Sequence, residues 1–206
     1  MNNRDHSAIE RRIAYCLERG DLKQAAGEAL RGYGPQIFAY LAAVLRDENA
    51  ASEVFSQFSE DLWRGIGKFR RESSLRSWAY RIAWNAAKQF ARDPFVKRRQ
   101  RLTTGEWSGI TEQVRSSNAA LRELAIQSRL ARLRDRLEPE EQTLLILRVD
   151  RELSWTEVAL VMSESGQPLS EAGLRKRFQR LKSRLHKLAE KEDLLQLLRP
   201  EAPTRR

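Results

Sequence analysis

Leu174-Arg-Lys-Arg-Phe-Gln-Arg-Leu-Lys-Ser-Arg-Leu-His-Lys-Leu188 is the stretch that decides the fold. Its apolar residues, Leu174, Phe178, Leu181, Leu185 and Leu188, step by four, three, four and three, which is the spacing of one stripe along a helix. At about 100° per residue, Lys176, Gln179, Arg180, Ser183 and Lys187 point away from that stripe, flanked by Arg175, Arg177 and Arg184. Between Arg175 and Lys187 there are seven Lys or Arg and no acid. Such a helix repels itself unless phosphates neutralise it, and its width suits a DNA major groove. A solvated basic helix in a bundle, or a coiled-coil seam, has the same spacing and stays open at this point.

Upstream, Ser154-Trp-Thr-Glu157 has the form of a capping box, in which Ser154 and Glu157 satisfy amides at a helix start. A short helix to about Met162, a turn, and the basic helix then make a helix-turn-helix. Leu137-Glu-Pro-Glu-Glu-Gln142, Leu147-Arg148, Glu152-Leu-Ser-Trp-Thr-Glu-Val-Ala159 and Leu174-Arg-Lys-Arg-Phe-Gln-Arg180, in that order, resemble region four of extracytoplasmic-function sigma factors. The resemblance implies that Arg175, Lys176, Gln179 and Arg180 read a −35 promoter element. Arg177 and Arg184 lie nearer the DNA backbone, and Ser183 shares the face. The turn from Ser163 to Ser170 is longer than the family's, and Ser170 can cap the second helix.

Two further helices stand out towards the N-terminus. Glu48 to Ile66 carries Ala51, Val54, Phe55, Phe58, Leu62 and Ile66 on one face, with Glu53, Glu60 and Asp61 among its polar positions. From Leu75 to about Arg92, a core face of Leu75, Trp78, Ala79, Ile82, Ala83, Ala86 and Phe90 leaves Trp84 on the opposite side. Tyr80 lies to one side of it, Arg81, Lys88 and Arg92 to the other, and Asn85 borders them. Exposed aromatics interleaved with cations form a platform for unstacked bases. The alternative is that Trp84 packs beneath another helix or the linker.

Here too the residues resemble the sigma-70 family. Ala51-Ser-Glu-Val-Phe-Ser-Gln-Phe-Ser-Glu-Asp-Leu-Trp63 is similar to the region-two helix that docks on the polymerase clamp, with Ser56-Gln57 in place of the usual Gln-Glu pair. The implied polymerase contacts are Glu53, Ser56, Gln57 and Glu60. Arg76-Ser-Trp-Ala-Tyr-Arg-Ile-Ala-Trp-Asn85 resembles region 2.3, and Phe69-Arg-Arg-Glu-Ser-Ser74 the specificity loop. Those parts capture an extruded base of the −10 element in relatives, which implies such a role for Arg70, Arg71, Ser73, Ser74, Tyr80, Arg81, Asn85, Lys88 and Arg92. A stacking role for Trp84 comes from the helix phase, since many relatives have Arg there. Lys97, Arg98, Arg99 and Arg101 read as a cluster that holds phosphates, or else as a solvated charge run.

Composition bounds the remaining choices. The 206 residues, 41% hydrophobic and 32% charged with ten Gly and six Pro, suit an all-α chain of two small helical domains joined by a flexible linker. The expected division is a helical extension over 1–20, a region-two domain over 21–101, a linker over 102–120, a region-four domain over 121–199 and a disordered tail. Gly32-Tyr-Gly-Pro35 reads as a turn within the first domain. A net charge of +10 favours a polyanionic partner. Cys16, the single cysteine, reads as structural, and with only His6 and His186 beside it neither a metal cage nor an intramolecular disulfide is expected. No cofactor is expected. The N-terminus lacks a signal-peptide core, and the apolar run from Ile37 to Leu45 is too short to span a bilayer, so a cytoplasmic protein is expected.

The resemblance implies core RNA polymerase, through the clamp and flap of its large subunits, and promoter DNA as partners, with an anti-sigma protein left open. It implies binding rather than catalysis. An autonomous helix-turn-helix regulator is the nearest rival, but no dimerisation or ligand-binding domain is evident. A nucleic-acid enzyme would need an activated nucleophile or clustered carboxylates for metals, and neither is visible.

Overall fold

A computed structural model describes residues 3–92, 133–134, 136–164 and 167–191. The cluster of Lys97, Arg98, Arg99 and Arg101, the linker and the tail lie outside the described residues. The described chain is all α. Helices α1 (Asn3–Glu18), α2 (Leu22–Leu45), α3 (Glu48–Gly65) and α4 (Leu75–Arg92) form a first unit, with a short 3-10 turn, Ile66–Lys68, after α3. Helices α5 (Pro139–Leu145), α6 (Trp155–Met162) and α7 (Glu171–Lys191) form a second, with a π-helical turn, Ile146–Asp150, after α5.

Side chains set most of the helix ends. The Asp21 carboxylate accepts the Gln24 amide at 2.9 Å, and that of Asp47 accepts those of Asn49 and Ala50 at 2.9 and 3.0 Å. Pro139 opens α5 inside a Glu138–Glu141 capping box. Helix α4 is capped by Ser74, whose hydroxyl accepts the Ser77 amide at 3.1 Å, and by a residue from elsewhere as well. Glu10 of α1 accepts the amides of Leu75 and Arg76 at 3.1 and 3.0 Å and the Tyr33 hydroxyl proton at 2.8 Å. A carboxylate at a helix N-terminus is also favoured by the helix dipole. Helix α1 is thereby tied to the start of α4, and its Ile9, Ile13 and Cys16 enter the core.

The expected turn at Gly32-Tyr-Gly-Pro35 is absent, because α2 runs straight through it with Pro35 inside the helix. The glycines serve close packing instead. A Cβ on Gly32 would stand 2.8 Å from Ile9 Cγ2, and one on Gly34 3.4 Å from the Phe55 ring. Pro35 deprives α2 of one ladder hydrogen bond. The burial of Tyr33, Ile37, Tyr40 and Leu41 around it offsets that loss.

The two units do not stand apart. Helix α6 lies on α4 and α5 lies on α2. Ala83 and Trp84 of α4 belong to the same buried cluster as Leu147, Val158, Val161 and Met162 of the second unit. Hydrogen bonds stitch the joint around this apolar centre. Tyr40 and Thr143 share one between their hydroxyls at 3.2 Å, Arg76 donates to the Arg151 carbonyl at 2.9 Å, Arg151 donates to that of Gln36 at 3.4 Å, and Arg46 donates to that of Leu137.

Candidate nucleic-acid interface

Helix α7 keeps the phase its sequence dictates. Leu174 and Leu181 are buried and Phe178, Leu185 and Leu188 half-buried, while Arg175, Lys176, Arg177, Gln179, Arg180, Ser183, Arg184 and Lys187 are exposed. Ser170 caps the helix by accepting the Gly173 amide at 3.1 Å. Across the turn, Ser154 and Glu157 form the expected capping box. The angle between α6 and α7 is held by Trp155 edge-on to Phe178 and by a 2.7 Å hydrogen bond from Thr156 to Glu171. Two arginines of the basic face are already engaged, Arg175 with Glu171 at 3.0 Å and Arg184 with Glu141 at 2.7 Å.

Helix α4 does not keep the exposed face expected of it. Trp84 is 3% exposed and Tyr80 0%, so neither presents a platform to solvent in this conformation. The cause at Trp84 is the second unit, which covers the side of α4 that the first unit leaves bare, and at Tyr80 it is Tyr40 of α2. The alternative of packing beneath another helix is the one realised, and that helix is α6. Lys88 lies over the Trp84 ring, 5.4 Å from its centre, and donates to Glu164 at 2.9 Å. Arg92 reaches the same carboxylate at 3.1 Å. Arg81 is half-buried, and Asn85 stays exposed at the rim.

Glu157 reaches α4 as well. While one oxygen serves the capping box, the other accepts the Ser77 hydroxyl at 2.8 Å and that of Ser74 at 3.2 Å. Burial works against its charge, but hydrogen bonds from the Ser154 amide, Ser77, the Ser154 hydroxyl and Ser74 outweigh it and hold the carboxyl below its usual range. Glu164 is also held low, first by the hydrogen bond and charge of Lys88 and then by Arg92.

The joint is imperfectly paired. Among the described residues, Trp84 Nε1, Arg76 Nε and Arg151 Nε are buried without a hydrogen-bond partner. Burial pushes the Tyr80 hydroxyl up while the charges of Arg151 and Arg76 oppose the shift, yet the hydroxyl makes no well-formed hydrogen bond to either. Each unpaired buried group costs about 1–3 kcal/mol.

The remaining candidates lie away from the joint. In the loop before α4, Arg70 is exposed, and Arg71 takes a left-handed backbone at φ 59, held by Glu18 at 2.9 Å and by the Ala14 carbonyl at 3.2 Å. Ser73 turns back onto the Ser74 carbonyl at 3.3 Å. On α3, Glu53, Ser56, Gln57 and Glu60 all face outward, beside an exposed Trp63 that the sequence reading passed over.

Comparison with known proteins agrees with this geometry. Residues 29–94 match the Sigma-70 region 2 family. The RNA polymerase sigma-H factor of Pseudomonas aeruginosa is 28% identical over 169 residues, spanning 77% of this chain and 82% of that protein. The chain is thus similar to sigma-70 factors, most specifically over its region 2 segment.

Two solved sigma-factor structures share the fold. CnrH, in complex with the cytosolic domain of CnrY, has a TM-score of 0.59 at 20% identity, covering 88% of this chain and 97% of CnrH. RpoE of Bartonella quintana, in complex with the anti-sigma factor NepR, has a TM-score of 0.54 at 16% identity, covering 84% and 98%. The resemblance to extracytoplasmic-function sigma factors is upheld, and the autonomous regulator is not favoured. These similarities support a role in transcription initiation. The region 2 match takes in α3, the loop after it and α4, and begins within α2. No helix among the described residues is long and apolar enough to cross a membrane.

Sequence reasoning missed three acids that organise the surfaces. Glu10 and Glu18 gave no local signal, because their partners, the start of α4 and Arg71, are more than fifty residues away. Glu157 was accounted for as a cap, which hid the second oxygen that it offers to α4.

Proposed function

We propose that the protein is a sigma factor that reads a −35 element with the outward face of α7, captures a −10 base with the loop over 69–74 and α4, and docks on polymerase through the outer face of α3. The carrying observation is the exposure of Lys176, Gln179 and Arg180 on a capped helix whose opposite stripe is buried in a helix-turn-helix. Arg and Lys pair with guanine edges and Gln with adenine, whereas Arg177 and Lys187 suit phosphates. On α4, Asn85 offers both a donor and an acceptor to a base edge. Arg81, Lys88 and Arg92 supply positive charge beside it, and Trp84 supplies a ring that becomes available when α6 moves away, while Tyr80 stays against Tyr40 of α2. Binding two elements by one chain raises affinity through effective concentration. CnrY and NepR hold their sigma factors in those two complexes, and an inhibitor of that kind is a partner suited to a chain that can close on itself.

The test is transcription from a promoter that depends on its upstream element. Arg180→Ala or Lys176→Ala lowers it by the worth of one base-edge contact, about 1–3 kcal/mol, and leaves polymerase binding and thermal stability unchanged. Loss of polymerase binding in step with transcription overturns the assignment.

A further inference from the structure

We propose that α6 and the turn after it are a built-in competitor of the promoter strand: Glu157 and Glu164 occupy, on α4, the places that DNA phosphates take once the chain opens. This rests on the reading of α4 as the −10 face.

Three observations converge. First, both carboxylates sit on groups suited to a phosphate. Glu164 takes a lysine and an arginine at 2.9 and 3.1 Å, and Glu157 takes two serine hydroxyls at 2.8 and 3.2 Å. Hydroxyls and Lys or Arg side chains are the ordinary phosphate contacts of nucleic-acid readers. Second, Glu164 is supplied by the turn after α6, whose described residues are tied together, with Leu169 N–H donating to Ser163 Oγ at 2.8 Å and Gln167 N–H to the Glu164 carbonyl at 3.0 Å. The turn delivers an acid to the cationic end of α4. Third, the covered surface is left short of partners, since Trp84 Nε1 and Arg76 Nε are buried without hydrogen bonds among the described residues. Buried polar groups are ordinarily hydrogen-bonded, so these two atoms are left for a partner other than α6.

The consequence is a population argument. If the closed form dominates, the affinity of the free chain for single-stranded DNA falls by the open fraction, and a change that weakens only the closed form restores it. Glu164→Gln keeps the side chain's shape and removes its charge from an exposed site. Glu157→Gln keeps the cap, because Gln serves at that position as Glu does. Both substitutions leave in place the groups on α4 proposed to meet DNA, Lys88, Arg92 and Ser74.

The experiment uses the full chain, wild type and E157Q/E164Q, with two readouts: radius of gyration by small-angle X-ray scattering, and binding of a fluorescein-labelled single-stranded DNA oligonucleotide by anisotropy. The expected result is a larger radius for the variant and binding about tenfold tighter, with E164Q alone giving part of both. Lys88→Ala with Arg92→Ala in the variant background then removes the gain. If neither radius nor binding changes, the carboxylates do not hold the closure and the proposal falls; the −10 reading is judged separately by whether Lys88→Ala with Arg92→Ala lowers open-complex formation by the holoenzyme. If the radius grows without tighter binding, the opened face does not take DNA, and the −10 reading falls together with the competitor.

Discussion

Helices α4 and α7 carry the same kind of sequence and meet different fates. Each has an apolar stripe at helical spacing and a cationic opposite face, and in each the stripe is buried as its phase requires. The opposite face of α7 remains in water, while that of α4 is roofed by α6 at Trp84 and by Tyr40 of α2 at Tyr80, so that both rings become as buried as the stripe. The composition of the two faces explains the difference. Between Arg175 and Lys187 the outward face of α7 offers only charged and polar side chains, which apolar surface cannot cover without stripping their hydration. The corresponding face of α4 carries an indole and a phenol, and covering those is favourable by roughly 25 cal/mol per Å². Aromatic residues that suit a melted base suit a helix equally well. A helix phase shows which residues share a face, and the aromatic content decides what the face will accept.

The largest way to break this comparison is to truncate the covered ring. Trp84→Ala removes a buried indole and costs about 3–5 kcal/mol, on the order of 10 °C in Tm. Lys176→Ala on α7 changes stability by no more than about 0.5 kcal/mol. Thermal denaturation of the two variants side by side checks this; equal, small shifts mean that α4 is as bare as α7.

Much of this was legible in the sequence. The stripes of α3 and α7, the capping box at Ser154, the cap at Ser170 and the all-α fold follow from local chemistry, because each is written within one turn or at a fixed helical spacing. What was not legible depends on distant partners. Gly32-Tyr-Gly-Pro35 reads as a turn until Ile9 is known to need the space that a Cβ on Gly32 would fill. Trp84 reads as exposed until Leu147 and Val158 are known to be packed in the same cluster. Glu53, Ser56, Gln57 and Glu60 of α3, proposed to face polymerase, are exposed as the spacing requires, and exposure alone gives them no role.

A smaller effect sharpens the same contrast through pH. Glu157 and Glu164 are held below the ordinary carboxylate range in the closed form, so their contribution is fully present above the ordinary value of about 4 and is lost as pH falls through the lowered values. The groups facing them are Ser74, Ser77 and Ser154 for Glu157, and Lys88 and Arg92 for Glu164. Scattering should therefore show an unchanged radius from neutral pH to about pH 5 and opening only in stronger acid. Opening near pH 6 would place the control on another group.

The central claim is that the free chain keeps the Trp84 face of α4 covered, and fluorine-labelled tryptophan tests it most directly. Each ring's resonance is assigned by Trp→Phe substitution and exposed to a soluble gadolinium chelate. Trp63, half exposed on α3, serves as the internal reference against buried Trp84. The account predicts a Trp63 signal that broadens strongly and a Trp84 signal that is protected in the wild-type chain and broadened in E157Q/E164Q. A wild-type Trp84 signal that broadens as fast as that of Trp63 would contradict it.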